Sequence, residues 1–186
     1  MIEIMAYRSS WPTEFTSLGA RLRMVLGVRA LAIHHIGSTS VPGLVAKDVI
    51  DAQVTVAALH ESLLSDLLQA GFNKVRADRD HCPPGMALPD EELAKMMVNG
   101  SERRSHIHIR VEGRFNQRYA LLCRDYLRTH PSAADAYGRV KQELARYFPE
   151  DVEAYYDIKD PVFDVLMSGA RDWETITDWT PPQTDA

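Results

Sequence analysis

An aspartate, Asp51, lies inside the apolar run Val49 to Val56. A carboxylate there is costly unless it is paired, bound to a metal or near the open end of the strand. Strand alternation puts Gln53 on the face of Asp51 and sends Ile50 and Ala52 to the other, so Gln53 occupies the place of a second metal ligand. Upstream, Gly37-Ser38-Thr39-Ser40 offers a glycine that admits close approach, backbone N–H groups that can face an anion, and three hydroxyls. A short helix over Thr39 to Leu44 would add its N-terminal dipole toward a phosphate. Such a turn alone reads equally as ordinary turn and capping chemistry. A carboxylate on the next strand changes that reading, because phosphoryl and nucleotidyl transfer use carboxylates to gather Mg²⁺ or Mn²⁺ around the phosphorus and the leaving pyrophosphate.

Other residues could join this centre. Lys47, four residues before Asp51, can fold back to neutralise phosphate, or remain an ordinary surface lysine. His106 and His108 share one strand face with Arg110. That spacing suits a metal, a phosphate, or a neutral hydrogen-bonding pair holding a ribose or base. If their strand neighbours the first one, His35, His106, His108 and Asp51 form an N/O set that suits a transition metal better than magnesium. His34 reads as a structural histidine.

These residues need elements to hold them. Phe15, Leu18, Leu22 and Val25 recur at helical spacing between Pro12 and Gly27, which predicts an amphipathic helix. Ala30 to Ile36 and Val49 to Val56 read as strands on either side of a Gly/Pro-punctuated turn. A helix over Leu59 to Ala70 ends at Gly71, and a strand over Phe72 to Val75 follows. Ala77 to Asp90 is the least regular stretch and is expected as a flexible rim. Asn99-Gly100 joins Lys95 to Val98 and Ser105 to Val111 as a hairpin with a longer loop, beside which Arg103 and Arg104 could attract an anion. Helices are then predicted over about 115 to 129, 132 to 147 and 162 to 173, separated at Pro131, Pro149 and Pro161. Residues 1–113 form the expected α/β core, 114–179 a helical segment closing the cleft in one compact unit with it, and 180–186, TPPQTDA, a disordered tail.

The bulk numbers exclude several classes. A net charge of -5 provides no general attraction for nucleic acid or a membrane surface. No apolar stretch approaches a membrane span, the first residues lack the pattern of a secretory signal, and a cytoplasmic location is expected. Cys82 and Cys123 are the only cysteines and form no zinc-ribbon spacing, so they read as reduced thiols.

The run His35 to Asp51, HIGSTSVPGLVAKDVID, is very similar to the signature of the GrpB family, within the nucleotidyltransferase-like superfamily. The likeness extends to His106-Ile107-His108, Phe115, Arg124 to Arg128, Tyr137, Lys141, Tyr156, Lys159 and Trp173. The resemblance implies a mixed sheet, a glycine-serine turn over nucleotide phosphates, a carboxylate on the next strand and C-terminal helices closing the cleft. It also implies that Lys141 and Lys159 reach the triphosphate or acceptor. The superfamily pattern has two acids spaced by one residue, whereas this chain has Asp51-Ala52-Gln53, and the later strand presents His106 and His108 in place of a third acid.

Three readings follow. In the first, an enzyme transfers a nucleoside monophosphate from an NTP to an unknown acceptor, with Asp51 as ligand to Mg²⁺ or Mn²⁺, Gly37 to Ser40 and the lysines on the phosphates, and His106 or His108 as ligand or proton acceptor. In the second, a binding or regulatory module has kept the pocket and lost the acids. The third is a metal-dependent phosphohydrolase built on the histidines.

Overall fold

The structure is a computed structural model and describes residues 1–186. A mixed five-stranded sheet runs in the order β1-β2-β5-β4-β3, with β1 over Ala32–Ile36, β2 over Ile50–Val56, β3 over Asn73–Lys74, β4 over Lys95–Asn99 and β5 over Ser105–Val111. β2 and β5 pair in parallel, and the other neighbours are antiparallel. The helices are α1 (Trp11–Leu26), α2 (Glu61–Gln69), the short α3 (Asp90–Leu93), α4 (Phe115–Thr129), α5 (Pro131–Tyr147) and α6 (Val152–Thr177).

Period-2 alternation divides the sheet into two unlike faces. Ile33, Ile50, Ala52, Val54, Val56, Val98, Ile107 and Ile109 meet Trp11, Phe15, Leu18, Leu22 and Leu26 of α1 and Leu63, Leu64 and Leu67 of α2 in the main core. Across the strands, Asp51 is paired with His106, Gln53 with His108 and Thr55 with Arg110, so the opposite face is polar. Lys95 stands beside Arg110 on that face through the β4–β5 pairing. Helices α4 to α6 flank it, with smaller apolar clusters among themselves.

Several elements differ from the sequence expectation. Val41 and Leu44 pack with Tyr137 and Ala134 of α5, and the chain after Gly37 makes one 3-10 turn over Ser38–Ser40, not a helix reaching Leu44. α6 runs unbroken through Pro161, from Val152 to Thr177. Proline removes one helical hydrogen bond there, and packing of Phe163 and Met167 against α4 and α5 outweighs that loss. Residues 180–186, expected to be disordered, lie along β1. The Asp185 N–H donates to Ile33 O at 2.9 Å, and the Asp185 carboxylate accepts from His35 N at 2.9 Å and from Arg124 Nη1 at 2.7 Å. The open edge of β1 supplies backbone partners that local composition does not reveal. No helix is long and apolar enough to cross a membrane.

Candidate functional site

A cleft of about 510 Å³ lies between the polar sheet face and the C-terminal helices. Gly37, Ser38, Thr39, Lys47, Asp51, His106, His108, Lys141 and Lys159 all line it, so most of the residues singled out from sequence converge.

The turn and the aspartate are sterically linked. Gly37 has φ 68°, in the left-handed region, and a Cβ there would run into the Asp51 carboxylate, so only glycine lets the turn lie against the strand. The turn's internal bonds begin at the Ser40 and Val41 amides, which bond to Gly37 O and Ser38 O, leaving the Ser38 and Thr39 amides outside them.

The three hydroxyls are not equivalent. Thr39 is 1% exposed, and its Oγ1 donates to Val49 O at 3.2 Å and lies 3.0 Å from His35 Nε2. Ser40 Oγ donates to Gly37 O at 2.6 Å. Both hydroxyls therefore brace the turn, and only Ser38 Oγ meets a cation: Lys141 Nζ donates to it at 2.8 Å and to Val45 O at 2.5 Å.

Lys141 reaches the turn because Gly138, one helical turn earlier, lets α5 approach closely. A Cβ at Gly138 would come within 3.1 Å of Val45 and 3.4 Å of Leu44. The amine is buried, has no carboxylate partner, and has its pKa lowered from 10.5 to about 7 by burial and then by the nearby Lys159 charge. Lys47 also lacks a carboxylate. Its Nζ lies 4.0 Å from the Tyr155 ring centroid and 4.5 Å from that of Tyr156, and burial, Lys159 and Arg104 lower its pKa. Lys159 is paired with Asp160 at 2.6 Å. One wall of the cleft thus carries two amines without counter-ions beside one hydroxyl, an arrangement suited to an oxyanion.

The opposite wall is a closed network. Gln53, expected as a metal ligand, is fully buried. Its Oε1 accepts from Arg110 Nη1 at 2.6 Å and its Nε2 donates to Gln117 O at 3.1 Å, so both ends of the amide are committed to the fold. Arg110 also donates to both oxygens of Asp80, at 2.7 and 3.0 Å, and Lys95 and Asn116 donate to the same carboxylate at 2.6 and 3.1 Å. Burial opposes ionisation of Asp80, but Arg110 and Lys95 overcome it and hold the carboxyl well below the usual range. Lys95 Nζ lies 3.4 Å from His108 Nδ1. Burial, reinforced by Arg110 and Lys95, pushes the His108 pKa well down and keeps the ring neutral.

Asp51 meets only one of the expected partners, with His106 Nδ1 3.1 Å from its Oδ1. His35 is directed to the other face, where its ring stacks on Phe15 at 4.7 Å, and burial lowers its pKa to about 4. The composite of His35, His106, His108 and Asp51 is therefore not formed. One residue's shift in register along β1 decides the face. His34 lies under the tail, 3.1 Å from Pro182 O.

No three His, Cys, Asp or Glu side chains gather where they could hold one metal ion. With Gln53 turned to Arg110 and Asp80 neutralised by two cations, the donors do not fit a two-metal centre. Asp51 offers one carboxylate, which would suit a single Mg²⁺ held otherwise by a ligand's own oxygens, since such ions take one or two carboxylates together with substrate oxygens.

Sequence reading missed Asp80 and Lys95. Lys95 was detectable in principle, because hairpin pairing places it beside Arg110 on the histidine face. Asp80 had no local signal, since it comes from the irregular stretch that forms a bridge between Arg79 and Ala94.

Fold and cleft together define a mixed α/β protein with a polar cleft between its sheet and its C-terminal helices. The structure of Cid1 in complex with its short product ApU matches with a TM-score of 0.51 at 16% identity, over 77% of this chain and 43% of that one, and shares the fold. The chain belongs to the GrpB family: the family's sequence model, described as GrpB protein, matches residues 1–168. The crystal structure of the conserved protein GrpB from Enterococcus faecalis matches with a TM-score of 0.76 and 26% identity, over 92% of this chain and 100% of that one. A dephospho-CoA kinase of Mycolicibacterium paratuberculosis (strain ATCC BAA-968 / K-10) is 33% identical over 92% of this chain, which spans only 46% of that protein's length.

Proposed function

We propose that the cleft binds a nucleoside triphosphate and that the protein transfers its nucleoside monophosphate to a hydroxyl of an acceptor. The observation that carries this reading is the buried, unpaired Lys141 amine on Ser38 Oγ, in the same cleft as Asp51. Ser38, the turn amides, Lys141 and Lys47 hold the phosphates, and Lys159, now on Asp160, adds positive charge. Asp51 would hold a divalent ion, Mg²⁺ or Mn²⁺, carried in by the nucleotide, and that ion would neutralise charge on the phosphates. Asp51 also orients His106, which accepts the hydroxyl proton. The oxygen–phosphorus bond forms at the α-phosphorus, the α–β phosphoanhydride bond breaks, and pyrophosphate leaves.

The commitment of Gln53 to Arg110 favours a second reading, a nucleotide-binding regulatory module without turnover. One experiment separates the two: each NTP is incubated with Mg²⁺ or Mn²⁺ and a panel of hydroxyl compounds, and pyrophosphate is measured. The transfer reading expects release that Asp51→Ala abolishes and that Gln53→Asp leaves unimproved, because the new carboxylate would pair with Arg110. Triphosphate binding without any release would sink transfer and leave the binding module.

A further inference from the structure

A second cavity, of about 500 Å³, opens at the Thr55 end of the polar sheet face and shares no lining residue with the cleft. Pro181 and Pro182 of the terminal segment bound it on one side, and Gln117 and Arg118 of α4 on another. Strand alternation turns three more lining residues toward it. His34 is paired with Gln53 across β1 and β2, Thr55 follows Gln53 by two residues, and Glu112 follows Arg110 by two, so all three stand on the polar face.

Two of these side chains carry acceptors that the fold leaves unanswered. His34 and Thr55 are each 1% exposed, and His34 Nδ1 and Thr55 Oγ1 have no hydrogen-bond partner. His34 Nε2 lies 3.1 Å from Pro182 O; a carbonyl only accepts, so that nitrogen carries the proton and Nδ1 is a bare acceptor. Buried polar atoms without partners are costly and rare in native folds, and here two of them face one cavity. A water occupies about 30 Å³, so the space exceeds what one bridging water fills and falls among the sizes of small-molecule sites. At the exposed rim stands Glu112. The one cation on the lining, Arg118, is turned to Glu174 at 2.6 Å, so the Glu112 carboxylate has no ion-pair partner.

We infer that this cavity is a second ligand site, separate from the cleft, for a small molecule carrying a protonated amine: His34 Nδ1 and Thr55 Oγ1 accept its N–H groups, and Glu112 supplies the opposite charge. An ammonium has three donors and no acceptor, which matches two buried acceptors and a carboxylate. An alcohol brings one donor and no charge for Glu112, and an ionised carboxylate brings no donor and is repelled by it. Gln53 stands between the two sites, with its amide bonded to Arg110 on the cleft side and to Gln117 O on this side.

The test uses the full chain labelled with ¹⁵N and titrated with ethanolamine, protonated at neutral pH. Ethylene glycol, and sodium chloride at equal ionic strength, are the controls. Saturable shifts of the Thr55, Gly113 and Gln117 amides are expected for ethanolamine alone, with a Kd on the order of millimolar. Thr55→Val removes one acceptor at nearly constant shape, and Glu112→Gln removes the charge. Each is expected to raise the Kd about tenfold, the worth of one hydrogen bond to a charged group, while Asp51→Ala leaves it unchanged. Glu112→Gln lies at an exposed position and keeps the test open should Thr55→Val fail to fold. No saturable shift up to about 100 mM, far above the expected Kd, overturns the inference. So does an equal response to ethylene glycol, a Kd that Glu112→Gln does not move, or one that Asp51→Ala raises.

Discussion

Lys141 concentrates the electrostatics of the cleft in one amine. Unfolded, it is protonated up to about 10.5, and folded only up to about 7. Between those values the unfolded chain holds more protons, so this residue makes stability rise with pH across the window, while below about 7 the charged amine bears its full burial cost. Ligand binding has the opposite sense. A triphosphate beside Lys141 favours the ammonium, so binding takes up protons just above neutral pH, and affinity falls as pH rises through about 7. Titration calorimetry in buffers of differing ionisation enthalpy measures that uptake. Lys141→Met is expected to abolish it and to weaken triphosphate binding roughly 10- to 100-fold, the worth of one or two charge-assisted hydrogen bonds.

Among the elements, the terminal strap on β1 is the least expected. Arg124 is 3% exposed and divides its donors among Asp185, Asp125 and His35 O, so the strap, α4 and β1 share one buried guanidinium. Asp185→Ala removes the strap's carboxylate from both Arg124 and the His35 amide. Because Asp125 still pairs with Arg124, the cost falls short of a wholly orphaned charge, at about 1–3 kcal/mol, read as a lower urea midpoint with an unchanged slope. An unchanged midpoint would mean that the strap adds nothing to the fold. β1 lies between this strap and β2 and presents His35 to the core and His34 to the strap. That division leaves neither histidine hydrogen-bonded to Asp51.

The whole molecule is a sheet with one apolar and one polar face, and the cleft lies where the polar face meets three helices from the second half of the chain. A triphosphate that binds there couples the two halves and stabilises the folded state by mass action. At a concentration 100 times its Kd the gain is about 2.7 kcal/mol, which for a chain of this size corresponds to a rise in Tm of roughly 5–10 °C. Differential scanning calorimetry checks this, and Lys141→Met should lose most of the shift. The chain spans about half the length of the curated relatives it matches in Mycolicibacterium paratuberculosis and Bacillus subtilis, at 46% and 48%. The stabilisation predicted here belongs to this half.

Local pattern was enough for the strands β1, β2, β4 and β5, the hairpin at Asn99-Gly100, and the helices α1, α2, α4 and α5, because each carries its period and its punctuation within its own residues. The same pattern placed Asp51 with Gln53 on one face of β2 and His106 with His108 on one face of β5, and the turn at Gly37 before them, since alternation is a property of the strand itself, while the parallel pairing that joins the two faces is tertiary. Partnership was decided only by the tertiary structure. Whether Gln53 faces a metal or Arg110 depends on a side chain 57 residues away, and whether Thr39 faces a phosphate or His35, or Asp80 reaches Lys95, depends on how separate elements pack. Pro161 reads locally as a break, and the strap at 180–186 has no apolar periodicity that announces a docking site, yet packing on α4 and the free edge of β1 hold both in place. Sequence alone therefore determined which residues share a face of each strand, because that follows from backbone periodicity. Their charge and freedom to meet a ligand follow from burial and from partners on other elements, and those exist only in the folded chain.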